Sequence, residues 1–163
     1  MQVTINFFNT IGKSILFFLE MIVDVFKPPL RLKAILYYMV FIGYESLAII
    51  TITSFFTGAV FGLQIGGVFA FFKAESFVGG ATGMALSMEL ASLVTAFLLA
   101  GRIGSSITAE LSTMVINEQV QALESMGISP IHFLVKPRLI ASIIMMPLLC
   151  GFFMLVGIFG AYL

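Results

Sequence analysis

A single acidic side chain in a long apolar stretch is the clearest candidate for chemistry. Glu89 is the only charged residue between Ser76 and Gly101 and lies close to the middle of that stretch. A carboxylate near the centre of a bilayer costs roughly 2.5 to 3.5 kcal/mol on insertion scales, so it faces a cavity or a polar partner rather than lipid tails. Two interpretations follow. Glu89 lines a substrate cavity, or it is protonated or hydrogen-bonded inside a helix bundle and only fixes helix packing.

The other reactive side chains do not form a nucleotide or metal site. Gly12–Ser14 has the sequence that ends a phosphate-binding loop, but such a loop needs a glycine where this chain has Phe7, and it needs a preceding strand. His132 is the only histidine and Cys150 the only cysteine, so neither has a second ligand of its own kind. We therefore expect no catalytic residue, no metal and no cofactor, and any ATP hydrolysis must come from a partner.

The composition indicates that these residues lie in a membrane. Hydrophobic residues make up 60% of the 163 positions and charged residues only 10%, against about 25% charged residues in soluble domains. Eight basic and eight acidic residues give a net charge of zero, so no overall field draws the chain toward nucleic acid. This excludes an ordinary soluble domain, makes nucleic acid an unsuitable partner and predicts an all-α integral membrane protein.

Three stretches are long enough to cross the bilayer. Residues 46–72 and 139–163 contain no charge, and residues 76–101 contain only Glu89. At about 1.5 Å rise per residue, 25 helical residues extend roughly 37 Å, more than the hydrocarbon thickness of about 30 Å. We therefore predict three transmembrane helices. Because no polar residue follows the third one, we expect the chain to be truncated at its C-terminus.

The first 27 residues have the pattern of an amphipathic helix. Their polar members recur at helical spacing, while aromatic and aliphatic residues cover the rest of the circumference. A helix of this kind lies in the membrane interface with its apolar face among the acyl chains. The alternative is a helix packed on a soluble domain of its own. Pro28 and Pro29 are predicted to end the helix.

Basic residues predict the orientation of the spans. Seven of the eight lysines and arginines precede the first span or lie between the second and third, and only Lys73 lies between the first and second. Because loops rich in lysine and arginine stay in the cytoplasm, this distribution places the N-terminus and residues 102–138 there.

Residues 102–138 form a second candidate functional region. An apolar line runs from Ile103 to Gly127 with one phase shift after Met114, and glutamate and glutamine side chains lie off it. This pattern predicts a helix that leaves the membrane and continues as a short cytoplasmic helix, with Gly127 at its end and Pro130 soon after. The apolar line packs either on the ends of the spans or on a soluble partner.

Small residues mark one face of the first span. Gly58, Gly62 and Gly66 follow one another at intervals of four, which permits close approach of another helix. Gln64 lies within the same stretch. The face is interpreted as structural, and its partner is either another span or a second copy of the chain.

Several motifs together resemble one known family. The residues concerned are the run Ala100-Gly101-Arg102-Ile103-Gly104-Ser105-Ser106-Ile107-Thr108-Ala109-Glu110-Leu111, the run Glu118-Gln119-Val120-Gln121-Ala122-Leu123-Glu124-Ser125-Met126-Gly127-Ile128-Ser129-Pro130, Lys136-Pro137-Arg138, Gly58 to Gln64 and Glu89-Leu90. From about Pro28 onward the chain closely resembles the permease subunit of MlaE-type ABC lipid transporters. The segment from Glu118 to Pro137 also resembles the coupling loop of ABC permeases in general.

The resemblance implies an architecture and a set of partners. It implies a homodimeric permease in the bacterial inner membrane, each subunit having an interfacial elbow helix and about five spans, of which three are visible here. It also implies two separate cytoplasmic ATPase subunits, a ring of MCE-domain proteins on the other face, and movement of phospholipid or a related lipid between the inner membrane and the outer envelope.

The resemblance further implies two sets of site residues. The coupling helix that fits a groove on the ATPase would comprise Glu118, Leu123, Glu124, Met126 and Gly127. In relatives the lipid lies between the two subunits against the first and second spans, which here implies Val68, Phe69, Phe72 and Glu89.

One departure from the family leaves the lipid class open. Many relatives have an arginine directly before the glutamate and Gly-Pro two residues after it, whereas here Met88 precedes Glu89, and Ala91 and Ser92 follow. A cation that could pair with a lipid phosphate is therefore missing at this position.

Two functions of other classes compete with transport. A structural or assembly subunit would move no substrate and would be held together through its glycine face. An ion or proton pathway through Glu89 is disfavoured, because no second carboxylate or histidine lies at a similar depth to form a relay.

Overall fold

Long helices joined by short turns make up the chain. The computed structural model describes residues 2–25 and 31–162. The helices are α1 (Gln2–Val25), α2 (Leu32–Phe71), α3 (Val78–Ala85), α4 (Ala91–Ile116), α5 (Gln119–Ser125) and α6 (Lys136–Tyr162). Within the described residues every regular element is helical, and three stretches are long and apolar enough to cross a membrane: Leu32–Phe71, Val78–Ile116 and Ile131–Tyr162. The prediction of an all-α membrane protein is confirmed.

The helix of the first span begins well before the predicted uncharged stretch. α2 has 40 residues, which at about 1.5 Å per residue is roughly 60 Å, twice the thickness of the hydrocarbon core. The uncharged stretch starts at Ser46 because Glu45 precedes it, but Glu45 is an ordinary helical residue whose carboxylate pairs with Arg102. A charge therefore limits the apolar stretch without ending the helix.

The second span is one helix with a wide turn in it. α3 and α4 are joined by the π-helical turn Leu86–Leu90, in which the N–H of Ala91 donates to the carbonyl of Leu86. A short 3-10 turn, Glu75–Phe77, and the left-handed residue Lys73 reverse the chain between α2 and α3. Glu89 thus lies in the widened turn.

Proline explains a second wide turn before α6. Residues Ile131–Val135 are π-helical, and the N–H of Lys136 donates to the carbonyl of Ile131. Pro137 has no N–H, and its ring would clash with the carbonyl four residues earlier, that of Phe133. Widening the turn removes that clash.

The spans form a bundle with two distinct ends. α5, the start of α2 and the start of α6 lie at one end, which we call the base, and the turn between α2 and α3 lies at the other, which we call the tip. α2 and α6 run in the same direction, and α4 runs opposite to both. Aliphatic residues and one phenylalanine from all three helices form the core: Ile35, Ile42, Ile50, Ala91, Leu99, Ala141, Leu149 and Phe153.

The glycine face of α2 packs on α6 of the same chain. A Cβ atom added to Gly58 would collide with the backbone carbonyl of Gly157, and one added to Gly62 would lie 2.7 Å from the carbonyl oxygen of Ala161. A Cβ on Gly160 would collide in the same way with the carbonyl of Phe55. Of the two partners that the sequence left open for this face, the structure therefore shows another span.

α1 contacts α6 and the wide turn that precedes it. Ile15, Leu16 and Leu19 on this helix are more than half exposed, as apolar side chains of an interfacial helix are. Its interfacial position stays a prediction. The residues predicted to end the helix, Pro28 and Pro29, lie outside the described residues.

Candidate functional site

The five predicted coupling residues lie together in and around α5 at the base. No residue of α5 is buried, and the helix packs on α4. Leu123 is half-buried, whereas Glu118 and Glu124 are exposed. Met126 just after the helix is also exposed, with 64% of its surface accessible. This part of the chain presents carboxylates and apolar side chains on one short helix.

Two left-handed residues separate α5 from its neighbours. Glu118 has φ 58° and breaks the chain between α4 and α5, and Gly127 has φ 72° just after α5 ends. The N–H of Gly127 donates to the carbonyl of Glu124 at 2.9 Å, and the N–H of Ile128 donates to that of Leu123 at 3.0 Å. These two bonds form a Schellman motif, in which glycine is favoured because its backbone adopts positive φ without strain. The phase shift after Met114 lies within the last turn of α4, just before Asn117 and Glu118 break the helix.

Three of the four predicted lipid-contacting residues lie at the tip. Val68 and Phe69 are in the last turn of α2, and Phe72 follows the helix. Val68 and Phe72 are exposed, Phe72 to 72%, and Phe69 is half-buried. They place an apolar surface where α2 ends.

Glu89 does not lie beside these three residues. It follows Val78, at the tip, by eleven positions, so it is about 16 Å further along the bundle at 1.5 Å per residue. Its side chain is exposed and forms no bond with any residue that the structure describes, although its backbone carbonyl accepts a hydrogen bond from the Ser92 hydroxyl at 3.1 Å. The structure therefore separates the predicted site into an apolar part and an acidic part.

A cavity of about 320 Å³ opens at the tip between α3 and the end of α6. It is lined by Val78, Gly79, Thr82, Gly83, Ile158, Ala161 and Tyr162. The Thr82 hydroxyl donates to the carbonyl of Val78 at 2.8 Å, so its hydrogen is engaged within α3. The cavity is apolar for the most part and is distinct from the predicted lipid-contacting residues.

The base contains a cluster of polar side chains that sequence reasoning did not find. Arg138 of α6 is 1% exposed, and its Nη2 lies 2.6 Å from Oε1 of Glu110 on α4. Its Nη1 donates to the carbonyl of Leu134 at 2.7 Å, and its guanidinium lies 4.6 Å from the centre of the Tyr38 ring on α2. The Tyr38 hydroxyl donates to the same Glu110 oxygen at 3.5 Å. We call Tyr38, Glu110 and Arg138 the base cluster.

A second polar pair joins two of the same helices. Nη2 of Arg102 on α4 lies 3.3 Å from Oε2 of Glu45 on α2, with both side chains more than a third exposed. Helical spacing offered a signal for this arrangement: Tyr38 and Glu45 are seven residues apart on α2, and Arg102 and Glu110 are eight apart on α4. Each pair of positions lies on one face of its helix.

The described residues do not gather a set of metal ligands. Among residues 2–25 and 31–162 no three histidine, cysteine, aspartate or glutamate side chains come close enough to hold an ion. Cys150 is half-buried in α6 and forms no disulfide. The described residues thus form apolar surfaces at the tip, an exposed carboxylate at Glu89 and a group of polar side chains at the base end of the bundle.

Comparison with known proteins agrees with this arrangement. A family model described as "Permease MlaE" matches residues 35–163. The chain is 40% identical over 160 residues to a "Probable ABC transporter permease protein" of Rickettsia felis, covering 98% of this chain and 62% of the relative. It is 36% identical over 161 residues to the "Intermembrane phospholipid transport system permease protein MlaE" of Haemophilus influenzae, covering 98% of this chain and 61% of that protein. Over 107 residues it is 38% identical to "Protein TRIGALACTOSYLDIACYLGLYCEROL 1, chloroplastic" of Arabidopsis thaliana, covering 66% of this chain and 31% of that protein. The chain thus spans about three-fifths of the length of the first two relatives.

Proposed function

Because this chain belongs to the MlaE permease family, we propose that it acts as the permease subunit of an ABC transporter moving phospholipid or a related lipid between the inner membrane and the outer envelope. The observation that carries the proposal is the match along nearly the whole chain to a relative named as an intermembrane phospholipid transport permease. The three long apolar helices are consistent with it. ATP hydrolysis then belongs to a separate subunit.

The ATPase would bind at α5. The helix has no buried residue and packs on α4, so its remaining surface is available to a partner. Glu118, Leu123, Glu124, Met126 and Gly127 would enter a groove of the ATPase. This assignment places the base in the cytoplasm, together with the N-terminus, as the distribution of lysine and arginine also predicts.

The lipid would bind from the tip inward. Val68, Phe69 and Phe72 offer an apolar surface to acyl chains, and the exposed Glu89 offers a polar group deeper along the second span. A ligand with long tails and one polar end needs both kinds of surface in one site. The distance of about 16 Å along the helix axis suits an extended molecule better than a compact one.

A second copy of the chain would complete the site. A carboxylate inside the bilayer is stable only against a cavity or a polar partner, and no described residue of this chain pairs with Glu89. In a homodimer the two copies of Glu89 would face a shared cavity, with an MCE-domain ring above the tip. The lipid class stays open, since Met88 occupies the position of an arginine in many relatives.

Lipid retention tests the proposed tip site. We expect Phe72→Ala in the complete complex to lower the amount of lipid that copurifies, measured by mass spectrometry, by about threefold, since a large apolar contact is lost. Phe97→Ala is the matched control: Phe97 lies on α4 and is also 72% exposed, but it is outside the proposed site. Equal lipid in both variants would contradict the site, and a complex with no bound lipid would contradict the function.

Association with the ATPase tests the proposed α5 site and separates transport from a purely structural role. Replacing Glu118 and Leu123 by alanine should abolish binding of the ATPase, or its stimulation, because both residues belong to the proposed contact. Gln121→Ala, on the same exposed helix, serves as the control. Unchanged binding and hydrolysis in the double variant would favour a scaffold that moves no lipid.

A further inference from the structure

The base cluster closes the loop that carries α5. Glu110 lies near the end of α4, and Arg138 is in the first turn of α6. Their ion pair, at 2.6 Å, therefore joins the two ends of residues 111–137. A force applied to α5 can reach the rest of the bundle through this point, through the backbone on either side of it, and through the turn before α6, where the Arg31 guanidinium lies 3.9 Å from the centre of the Phe133 ring.

Burial makes the closure hard to open. The Glu110 side chain is 39% exposed, but Arg138 is 1% exposed, so water does not replace Glu110 at the guanidinium, and a buried charge without its partner is strongly unfavourable. The guanidinium is also held at the carbonyl of Leu134, at 2.7 Å, inside the wide turn before α6. Its Nε has no hydrogen-bond acceptor in the part of the chain that the structure describes, and the Glu110 contact of Nη2 is an ion pair rather than an aligned hydrogen bond. Glu110 is thus the main compensation for this charge.

Tyr38 extends the same cluster to α2. Its ring lies against the guanidinium of Arg138 and its hydroxyl donates to Glu110, so it contacts both partners of the ion pair. α2 continues from this point to the tip, where it carries Val68 and Phe69. One rigid helix therefore connects the cluster with the proposed lipid-contacting surface.

The neighbouring pair of Glu45 and Arg102 lacks these properties. It joins α2 and α4 but does not include α6, and so it does not close the loop. Both side chains are more than a third exposed, where water and salt replace an ion pair at little cost. The two pairs are alike in chemistry and differ in what they connect.

We propose that Glu110 and Arg138 are positioning residues that transmit a displacement of α5 to the spans, with Tyr38 as their contact on α2. The proposal rests on the proposed function, because the ATPase supplies the displacement. It assigns to the base cluster a role in coupling that goes beyond holding the fold together.

Hydrogen exchange on the complete transporter tests the proposal directly. In the parent complex a non-hydrolysable ATP analogue should change amide exchange both in residues 119–125 and in residues 32–45. In Glu110→Gln the analogue should still change amide exchange in residues 119–125 but no longer in residues 32–45. In the matched control Glu45→Gln it should change exchange in both segments. In proteoliposomes the lipid moved per ATP hydrolysed should fall about fivefold in Glu110→Gln and stay within about twofold of the parent in Glu45→Gln.

A milder variant covers the case in which Glu110→Gln does not fold. Tyr38→Phe keeps the ring on Arg138 and removes only the hydroxyl, so it should reduce the change in residues 32–45 and lower the lipid moved per ATP by about twofold. If Glu110→Gln folds and nucleotide still changes amide exchange in residues 32–45, the inference is wrong while the proposed function stands. If only Tyr38→Phe folds, an exchange response in residues 32–45 equal to that of the parent leads to the same conclusion. Equal losses in Glu110→Gln and Glu45→Gln would overturn it as well. A parent complex in which residues 119–125 do not respond to nucleotide would overturn the proposed function and this inference with it.

Discussion

The base of the bundle and the half opposite to it are held together by different kinds of contact. In the half nearer the tip, α2 and α6 meet backbone to backbone at Gly58 and Gly157, with no side chain between them. At the base the same two helices meet through long polar side chains, Arg138 against Tyr38, with Glu110 of α4 shared between them. Backbone contact fixes the separation of two helices directly, whereas the polar side chains at the base link three helices through an ion pair and a ring. The difference indicates that close packing holds α2 on α6 in one half of the bundle, and that charged and aromatic side chains connect the helices at the base.

Adding one methyl group at the backbone contact between α2 and α6 should have the largest effect. In Gly58→Ala the new Cβ collides with the carbonyl of Gly157, and because neither backbone can give way the helices must separate. We expect the free energy of unfolding, measured by denaturant titration in detergent, to fall by about 2 to 3 kcal/mol.

Gly67→Ala is the control for this prediction, since a Cβ at Gly67 on the same helix meets nothing within 4 Å. If Gly58→Ala is as stable as Gly67→Ala, close backbone contact does not hold α2 on α6 and the comparison between the two halves of the bundle fails.

A methyl group at the end of α5 should have a smaller effect, and a local one. Gly127 has φ 72°, and a side chain in this conformation costs about 1 kcal/mol. Gly127→Ala should therefore increase amide exchange in α5 while leaving α2 and α6 unchanged. Gly101→Ala, where a Cβ meets nothing within 4 Å and φ is not positive, provides the reference. Increased exchange across the whole bundle would mean that α5 is not an independent unit at the base.

The smallest effect is expected at the exposed ion pair of the base. Glu45→Gln removes the partner of Arg102, but water reaches both side chains, so the free energy of unfolding should fall by only about 0.5 kcal/mol. High salt should abolish the difference from the parent because it screens exposed charges. A loss as large as that of Gly58→Ala would show that this exposed ion pair holds its helices as firmly as the backbone contact holds α2 on α6.

Local pattern was enough to predict much of the chain. The uncharged stretches identified the three spans, and Gly127 followed by Pro130 identified the end of α5, because the left-handed turn that stops a helix depends on a few neighbouring residues. An uncharged stretch does not indicate where its helix begins. A single charge such as Glu45 ends a run of apolar residues, but a helix continues through a charge that finds a partner on another helix.

The candidate site was only partly accessible to sequence reasoning. The apolar pattern predicts the short helix α5 but leaves open which surface it covers, and the five residues proposed for coupling lie in and around this helix at the base. Val68, Phe69 and Phe72 lie together as well, but Glu89 is separated from them along the second span. The base cluster is not visible in the sequence, because the charge of Arg138 indicates a loop between spans, whereas its burial depends on packing among three helices.

The membrane environment, the helices and the end of the short helix α5 follow from local pattern, since apolar length, charge spacing and turn residues act within a few residues of one another. Three features depend on the packing of distant segments: the glycine face of α2 meets α6, Arg138 is buried against Glu110 and Tyr38, and Glu89 remains exposed. Helical periodicity specifies which residues share a face. Which faces meet depends on packing among helices that are distant in the chain, and one helix's residues cannot specify that alone.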